Sequence, residues 1–166
     1  PERFTVEVTE SAALTDPERA VAILNELRGA GMGVAIDDFG TGNASIDYLA
    51  RLPATELKID RSFVSAMEDD PLSAALVRTA IDLARNLGLS VVAEGVETQG
   101  SLARVAELGC DQAQGYAIAR PLPPSELAAM LARPTAEHSA ATNASGPRQS
   151  TSRRRLDSRR PAVRDA

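Results

Sequence analysis

Two hydrophobic periods alternate along this chain. Phe4-Thr5-Val6-Glu7-Val8 alternates in β-forming residues and predicts a strand that ends in Thr9-Glu10-Ser11. Thr15-Asp16-Pro17-Glu18 then carries a capping-box pattern with proline in the first turn. Behind it Val21, Leu24, Leu27 and Arg28 keep helical spacing until Gly29 and Gly31 stop the helix. A second strand runs from Val34 to Asp37, and a short helix near Ser45 to Arg51 ends at Pro53. Leu57-Lys58-Ile59-Asp60 predicts a third strand. Asp70-Pro71 opens a long helix with apolar positions at Leu72, Leu76, Ile81 and Leu83, closed by Gly88. Ser90 to Glu94 predicts a fourth strand, followed by helix to Leu108 and Gly109. Asp111 to Ile118 holds a fifth strand centred on Gly115 and Tyr116, and Pro124 starts a last helix that ends about Arg133.

Strand and helix alternate five times, with helices long enough for crossovers, so the prediction is a parallel α/β sheet covered by helices. Five such units fit a complete doubly wound sheet or part of an eight-fold (βα)₈ barrel, and the pattern alone leaves both open. From Pro134 onward Ala, Ser, Thr, Pro and Arg dominate, and this segment is expected to be disordered. Residues 134–166 hold seven Arg against Glu137, Asp157 and Asp165, which makes them +4 and residues 1–133 near −9 within a total of −5. The tail is expected to be solvated; contact with nucleic acid or an acidic lipid surface, or a disrupted reading frame, are the alternatives.

Composition narrows the rest. The 166 residues suit one domain with a real core, packed by small aliphatics because aromatics make up 3% and Trp is absent. The net charge argues against a whole-domain grip on a nucleic-acid polymer. A single cysteine, Cys110, excludes an internal disulfide framework and fits a reducing, cytoplasmic setting, where it is expected to act as a small buried hydrophobe. No apolar stretch is long enough for a membrane-spanning helix. The chain opens at Pro1, almost directly on a strand, and reads as a piece of something longer.

The candidate chemistry lies at the strand ends. Gly33 to Ile36 is an apolar run that stops at Asp37-Asp38, followed by Phe39-Gly40-Thr41-Gly42. Adjacent carboxylates repel and are comfortable mainly beside a cation; a helix cap or turn would equally account for one Asp and the glycines. Glu7, Asp37, Asp38, Lys58, Asp60, Glu94, Glu97 and Gln114 all fall at or just past the carboxyl ends of predicted strands, which share one face in a parallel sheet. Oxygen ligands of this kind suit Mg²⁺ or Mn²⁺, and two such ions form the usual clamp for phosphate-ester displacement. Lys58 has two readings: a salt bridge that neutralises the acids, or an ammonium that orients and eases deprotonation of an attacking water if its own pKa is held down. Gly40-x-Gly42 is first a turn and second a phosphate cradle. Phe39 and Tyr116 are expected to pack, though either could stack on a base, and His138 in the tail earns no role.

Five blocks then resemble one family in order: Glu7-Val8-Thr9-Glu10-Ser11, Ile36 to Gly42, Leu57 to Val64, Val91 to Thr98, and Gly109 to Tyr116 through Pro121. The chain resembles the C-terminal part of an EAL domain, the cyclic-di-GMP phosphodiesterases, across residues 1 to about 133. The resemblance implies a TIM-type (βα)₈ barrel, of which about five units are present. It also implies hydrolysis of cyclic-di-GMP to linear pGpG with two Mg²⁺ or Mn²⁺ ions. Carried onto matching positions, Glu7, Asp37, Asp38 and Glu94 resemble metal ligands, with Asp37 between the ions, and Asp60 sits where a further metal-site carboxylate is expected. Lys58 resembles the residue that activates water, and Glu97 and Gln114 resemble residues that support it. Glu10 matches the residue that steadies the glycine loop.

The departures are as informative. The Glu-Ala-Leu motif and the Asn ligand of the next strand are absent and are expected before Pro1, in three further strands. After Gly42 the family usually has Tyr-Ser-Ser, whereas this chain has Asn43-Ala44-Ser45, in a loop that couples dimerisation to metal binding in the family. The expected function is a phosphodiesterase within a longer parent, the alternative a non-catalytic cyclic-di-GMP sensor. A homodimer, an upstream sensor or GGDEF-type domain and possible membrane attachment of the parent accompany it, and the isolated segment is expected to be impaired.

Overall fold

The computed structural model describes residues 1–42 and 45–132. The tail at 134–166 and Asn43-Ala44 therefore lie outside the described residues. Five strands, β1 (Thr5–Thr9), β2 (Gly33–Phe39), β3 (Glu56–Ile59), β4 (Ser90–Glu94) and β5 (Gln112–Gln114), form one parallel sheet in the order β1-β2-β3-β4-β5. The helices are α1 (Glu10–Thr15), α2 (Pro17–Gly29), α3 (Ile46–Arg51), α4 (Arg61–Ala66), α5 (Pro71–Leu87), α6 (Gln99–Leu108) and α7 (Pro124–Leu131). Each new strand adds on the same side of the last, with no reversal of order. A doubly wound sheet requires such a reversal, so the winding is that of a TIM-type barrel.

The two faces of the sheet separate cleanly. Val34 and Ile36, Leu57 and Ile59, and Val91 and Ala93 pack with helix residues Leu24, Val64, Val77, Ile81 and Val105 in one buried cluster. The alternate positions, Ala35 and Asp37, Glu56 and Lys58, Val92 and Glu94, turn to the opposite face by strand period. Capping side chains start the helices: Asp16 accepts from Arg19 N at 3.2 Å, Asp70 from Ser73 N at 2.9 Å, and Thr98 and Ser101 form a reciprocal box. No described helix is long and apolar enough to cross a membrane.

Four segments differ from the sequence pattern. The first strand stops at Thr9, and Glu10 and Ser11 open α1 instead of ending the strand, because Thr9 caps Ala12 N and the turn is sealed by Ala13, which is buried. Arg61 to Ala66 likewise folds as α4 once Asp60 caps it. On α5, Leu72 and Leu76 face solvent while Ser73, Val77, Ala80, Ile81 and Ala84 are buried. Its small residues allow the helix to sit close to the sheet, and that approach selects the face. The fifth strand is only Gln112–Gln114, since beyond it the chain turns at Gly115, whose carbonyl accepts from Ile118 N at 3.0 Å and Ala119 N at 3.2 Å.

Gly115 is required by contact. An added Cβ would fall on the backbone of Val96, which itself bonds to Gln114 O and Ala117 N at 3.0 and 2.9 Å. Gly115→Ala is expected to cost about 1–3 kcal/mol, because the obstructing atoms are backbone and cannot rotate away. At Gly29, where an added Cβ meets nothing within 4 Å, the same change should be neutral or slightly stabilising. Urea denaturation midpoints of the two variants test this, and equal shifts would contradict it.

Candidate functional site

The opposite face of the sheet carries a buried ammonium held by three strands. Lys58 sits between Leu57 and Ile59, both anchored in the helix-side core, so strand alternation drives its side chain to the other face. There Nζ lies 2.8 Å from Glu7 Oε2 on β1, 3.0 Å from Asp37 Oδ1 on β2 and 2.8 Å from Glu94 Oε1 on β4. Its side chain is 7% exposed, against 51%, 20% and 21% for the three carboxylates. Burial pulls the Lys58 pKa down, but the attraction of the ammonium to the carboxylates of Glu7, Glu94 and Asp37 outweighs it, and the value ends above that of an ordinary lysine. The water-activating reading supposed a depressed pKa. In this arrangement Lys58 is instead a firmly charged group, and the salt-bridge reading describes its contacts.

A bulge places the paired aspartates. Ile36 pairs with Leu57 and Phe39 with Ile59, so Asp37 and Asp38 together stand opposite Lys58 alone. Asp38 has a φ of 54°, within the left-handed region that few non-glycine residues occupy. Its carbonyl accepts from Thr41 Oγ1 at 2.9 Å and Thr41 N at 3.2 Å, which starts the glycine turn. Among the described residues Asp38 makes no ion pair. Glu10, buried in the first turn of α1, lies beneath that turn: its Oε2 accepts from Gly40 N at 3.3 Å, and an added Cβ at Gly42 would stand 2.7 Å from its Cδ.

The other named residues are less gathered. Asp60 Oδ1 caps α4 by accepting from Ser62 N at 3.0 Å and from Ser62 Oγ. Glu97 and Gln114 are exposed, Glu97 just after β4 and Gln114 at the end of β5 opposite Glu94. Phe39 packs against the core, whereas Tyr116 is exposed, contrary to a packing role. Cys110 Sγ donates to Val91 O at 3.4 Å and Gln112 O at 3.1 Å, and burial pushes its thiol pKa up to about 11, so it stays a protonated, inert thiol. Glu56, two residues before Lys58 on the same face, was not singled out from the sequence. Burial raises its pKa, and Gln112 Nε2 donates to it at 3.5 Å. The spacing Glu56-x-Lys58 was the signal available for it.

Whether a divalent cation fits can be asked of the carboxylates. Three carboxylates against one ammonium leave two formal negative charges in a half-buried place. Asp37 Oδ1 is buried and has no well-formed hydrogen bond; its 3.0 Å approach to Lys58 is a charge contact, which does not satisfy the oxygen's lone pairs. Hard oxygen donors, excess negative charge and an under-satisfied oxygen all suit Mg²⁺ or Mn²⁺. Among the described residues no three His, Cys, Asp or Glu side chains enclose an ion position by themselves, because the acids are drawn onto the lysine.

Known proteins resolve the family. The EAL domain profile matches residues 1–121. A bifunctional diguanylate cyclase/cyclic di-GMP phosphodiesterase, MucR of Pseudomonas aeruginosa, is 46% identical over 132 residues, 80% of this chain and 19% of that protein. The matched stretch spans 17%, 19% and 31% of the length of three curated relatives. The solved MucR phosphodiesterase, a c-di-GMP complex, superposes with a TM-score of 0.74 over 76% of this chain and 51% of that one. The EAL domain of Mycobacterium smegmatis DcpA gives 0.73 at 41% identity, covering 79% and 59%. Klebsiella pneumoniae BlrP1, solved as a manganese/cy-diGMP complex, gives 0.68 at 34% identity, covering 73% and 31%. With its barrel-type winding, its acids gathered at the strand ends and a profile match over most of its length, this chain belongs to the EAL domain family.

Proposed function

We propose that this chain carries a large part of the catalytic face of a cyclic-di-GMP phosphodiesterase that releases linear pGpG. The observation that carries the reading is the convergence of Glu7, Asp37 and Glu94 from three strands on Lys58. The cyclic di-GMP phosphodiesterase activity for which MucR is named supports the substrate, and the manganese complex of BlrP1 supports a divalent cofactor. Glu7, Asp37, Asp38 and Glu94, with Asp60 beside them, would hold two Mg²⁺ or Mn²⁺ ions. Bound there, the ions would supply Lewis-acid polarisation of the phosphodiester. Lys58, kept charged, would hold its carboxylates in register and stabilise negative charge that develops on the phosphoryl oxygens. Glu97 and Gln114 would orient the attacking water at the rim. Glu10 would fix the glycine turn after Asp38.

We read the whole protein as a cytoplasmic signalling enzyme that works as a homodimer, with further domains upstream. On its own, with β1 and β5 as unpaired sheet edges, the 166-residue chain would be impaired. The competing reading, a sensor that binds cyclic-di-GMP without cleaving it, is separated by turnover.

Purified full-length protein should form pGpG with Mg²⁺ or Mn²⁺, lose that activity on chelation and regain it on resupply. Asp37→Asn and Glu94→Gln should each lower kcat about a hundredfold or more. Tight binding of cyclic-di-GMP with no pGpG from the wild type would decide for the sensor.

A second test concerns the lysine. Lys58→Met strands three acids without their cation and should destabilise the metal-free protein by about 3 kcal/mol. Added Mg²⁺ should return part of that loss, seen as a rise in Tm larger than the wild type shows. The folded pKa lies above the unfolded one, so the contribution of Lys58 is complete below the unfolded value of about 10.4 and disappears only as pH rises through the folded value. Between about pH 6 and 9 the wild type should therefore show no stability slope from this residue.

A further inference from the structure

We propose that Glu56 is a positioning residue for Lys58, a carboxylate on the same strand that takes over as counter-ion to the ammonium when a divalent cation draws on Glu7, Asp37 and Glu94. This rests on the proposed function only for the presence of that cation. The sheet register puts the acid in place. Glu7, Ala35, Glu56 and Ser90 stand level across β1 to β4, and Lys58, Val92 and Gln112 form the next level toward the carboxyl ends. Glu56 therefore stands directly beneath Lys58, one strand repeat of about 6.6 Å away. Glu94 approaches the ammonium from the opposite side, one level above it. Glu7 shares the lower level but lies two strands from Glu56, with the small buried Ala35 between them.

The neighbours of Glu56 solvate its carboxylate without neutralising it. Gln112 Nε2 donates to it over a long 3.5 Å, and Ser90 stands beside it on β4, its hydroxyl also donating to Thr55 O at 3.1 Å. Both are uncharged, and among the described residues Glu56 makes no ion pair. Burial disfavours its charge, and the Lys58 ammonium is the foremost influence that favours it.

Lys58 in turn needs such a partner. Its side chain is 7% exposed, and an ammonium left there without a counter-ion would be costly. Glu7, Asp37 and Glu94 now fill that need, so Glu56 is surplus. All three belong to the acids that would hold cations, and cation occupancy would leave the ammonium facing like charge. Glu56 lies a level below Lys58, outside that set, and its spacing from the lysine is fixed along one strand whatever the neighbouring strands do.

Mn²⁺ affinity of the substrate-free, full-length protein, followed by electron paramagnetic resonance, tests this. Wild type, Glu56→Gln, Glu56→Asp, Lys58→Met and the double variant Glu56→Gln/Lys58→Met would be compared. Glu56→Gln should weaken Mn²⁺ binding about tenfold while its metal-free Tm stays within about 3 °C of wild type. In the Lys58→Met background the same change should cost less than about twofold, because the ammonium it serves is gone. Glu56→Asp keeps the charge but not the reach, and should lose nearly as much as Glu56→Gln. Equal losses in both Lys58 backgrounds, or full Mn²⁺ affinity in Glu56→Asp, would reveal only the general field of an acid and overturn the proposal. A larger metal-free loss of Tm would overturn it too, since Glu56 would then serve the fold. If Lys58→Met fails to fold, the Glu56→Asp comparison decides. The expected Mn²⁺ pattern without any pGpG counts against the phosphodiesterase reading alone, whereas a wild type that takes up no Mn²⁺ overturns this inference.

Discussion

The ammonium of Lys58, shared among acids from β1, β2 and β4, is the contact on which the rest of this structure depends. β1 lies two strands from β3, a separation of about 9–10 Å in a flat sheet. Side chains standing perpendicular to such a sheet would remain that far apart. Glu7 nevertheless reaches Lys58 at 2.8 Å, so the two long side chains lean toward each other across β2. The reach of these side chains thus brings charges from non-adjacent strands to one point. A lysine this well buried is tolerable only because it is paired, and once paired it resists any sliding of the strands.

The bulge at Asp37-Asp38 adds a second constraint. An even strand would send the two carboxylates to opposite faces, one of them into the apolar helix layer beside Ile36. One extra residue opposite Lys58, with Asp38 in the left-handed region, removes that conflict and turns the chain into the glycine loop at once. Glu10 then supports the loop from below by receiving Gly40 N. Gly40 itself must stay small, because an added Cβ would stand 2.8 Å from the Phe63 ring of α4. The local strain at Asp38 is thus held in place by α1 on one side and α4 on the other.

Much of this was legible in the sequence for a plain reason. Strands buried on both faces show apolar runs, and parallel strands share a carboxyl end, so acids that close such runs must meet. Glu7, Asp37, Lys58 and Glu94 were readable by that rule. The bulge was not, because it depends on a register between β2 and β3 that no local pattern encodes. Nor was the solvent exposure of Leu72 and Leu76, where close packing of Ala80 and Ala84 overrides the preference for larger apolar residues. The length of β5 was misjudged because Gly115 and Tyr116 look strand-like until the Val96 backbone blocks the path.

The charge state of Lys58 has a chemical consequence that residue type alone does not convey. A lysine acts as a proton acceptor only when its surroundings penalise its charge, and here three carboxylates do the opposite. While those acids are directed at the ammonium, it serves as their counter-ion and cannot take a proton from water. A cation that engaged Asp37, Glu7 or Glu94 would compete with Lys58 for the same oxygens. A metal and the lysine would share atoms there, Asp37 Oδ1 foremost, since that oxygen is buried and has no well-formed hydrogen bond of its own. A site built this way is charge-paired and ordered by its own residues, and a cation entering it would do so in competition with the ammonium.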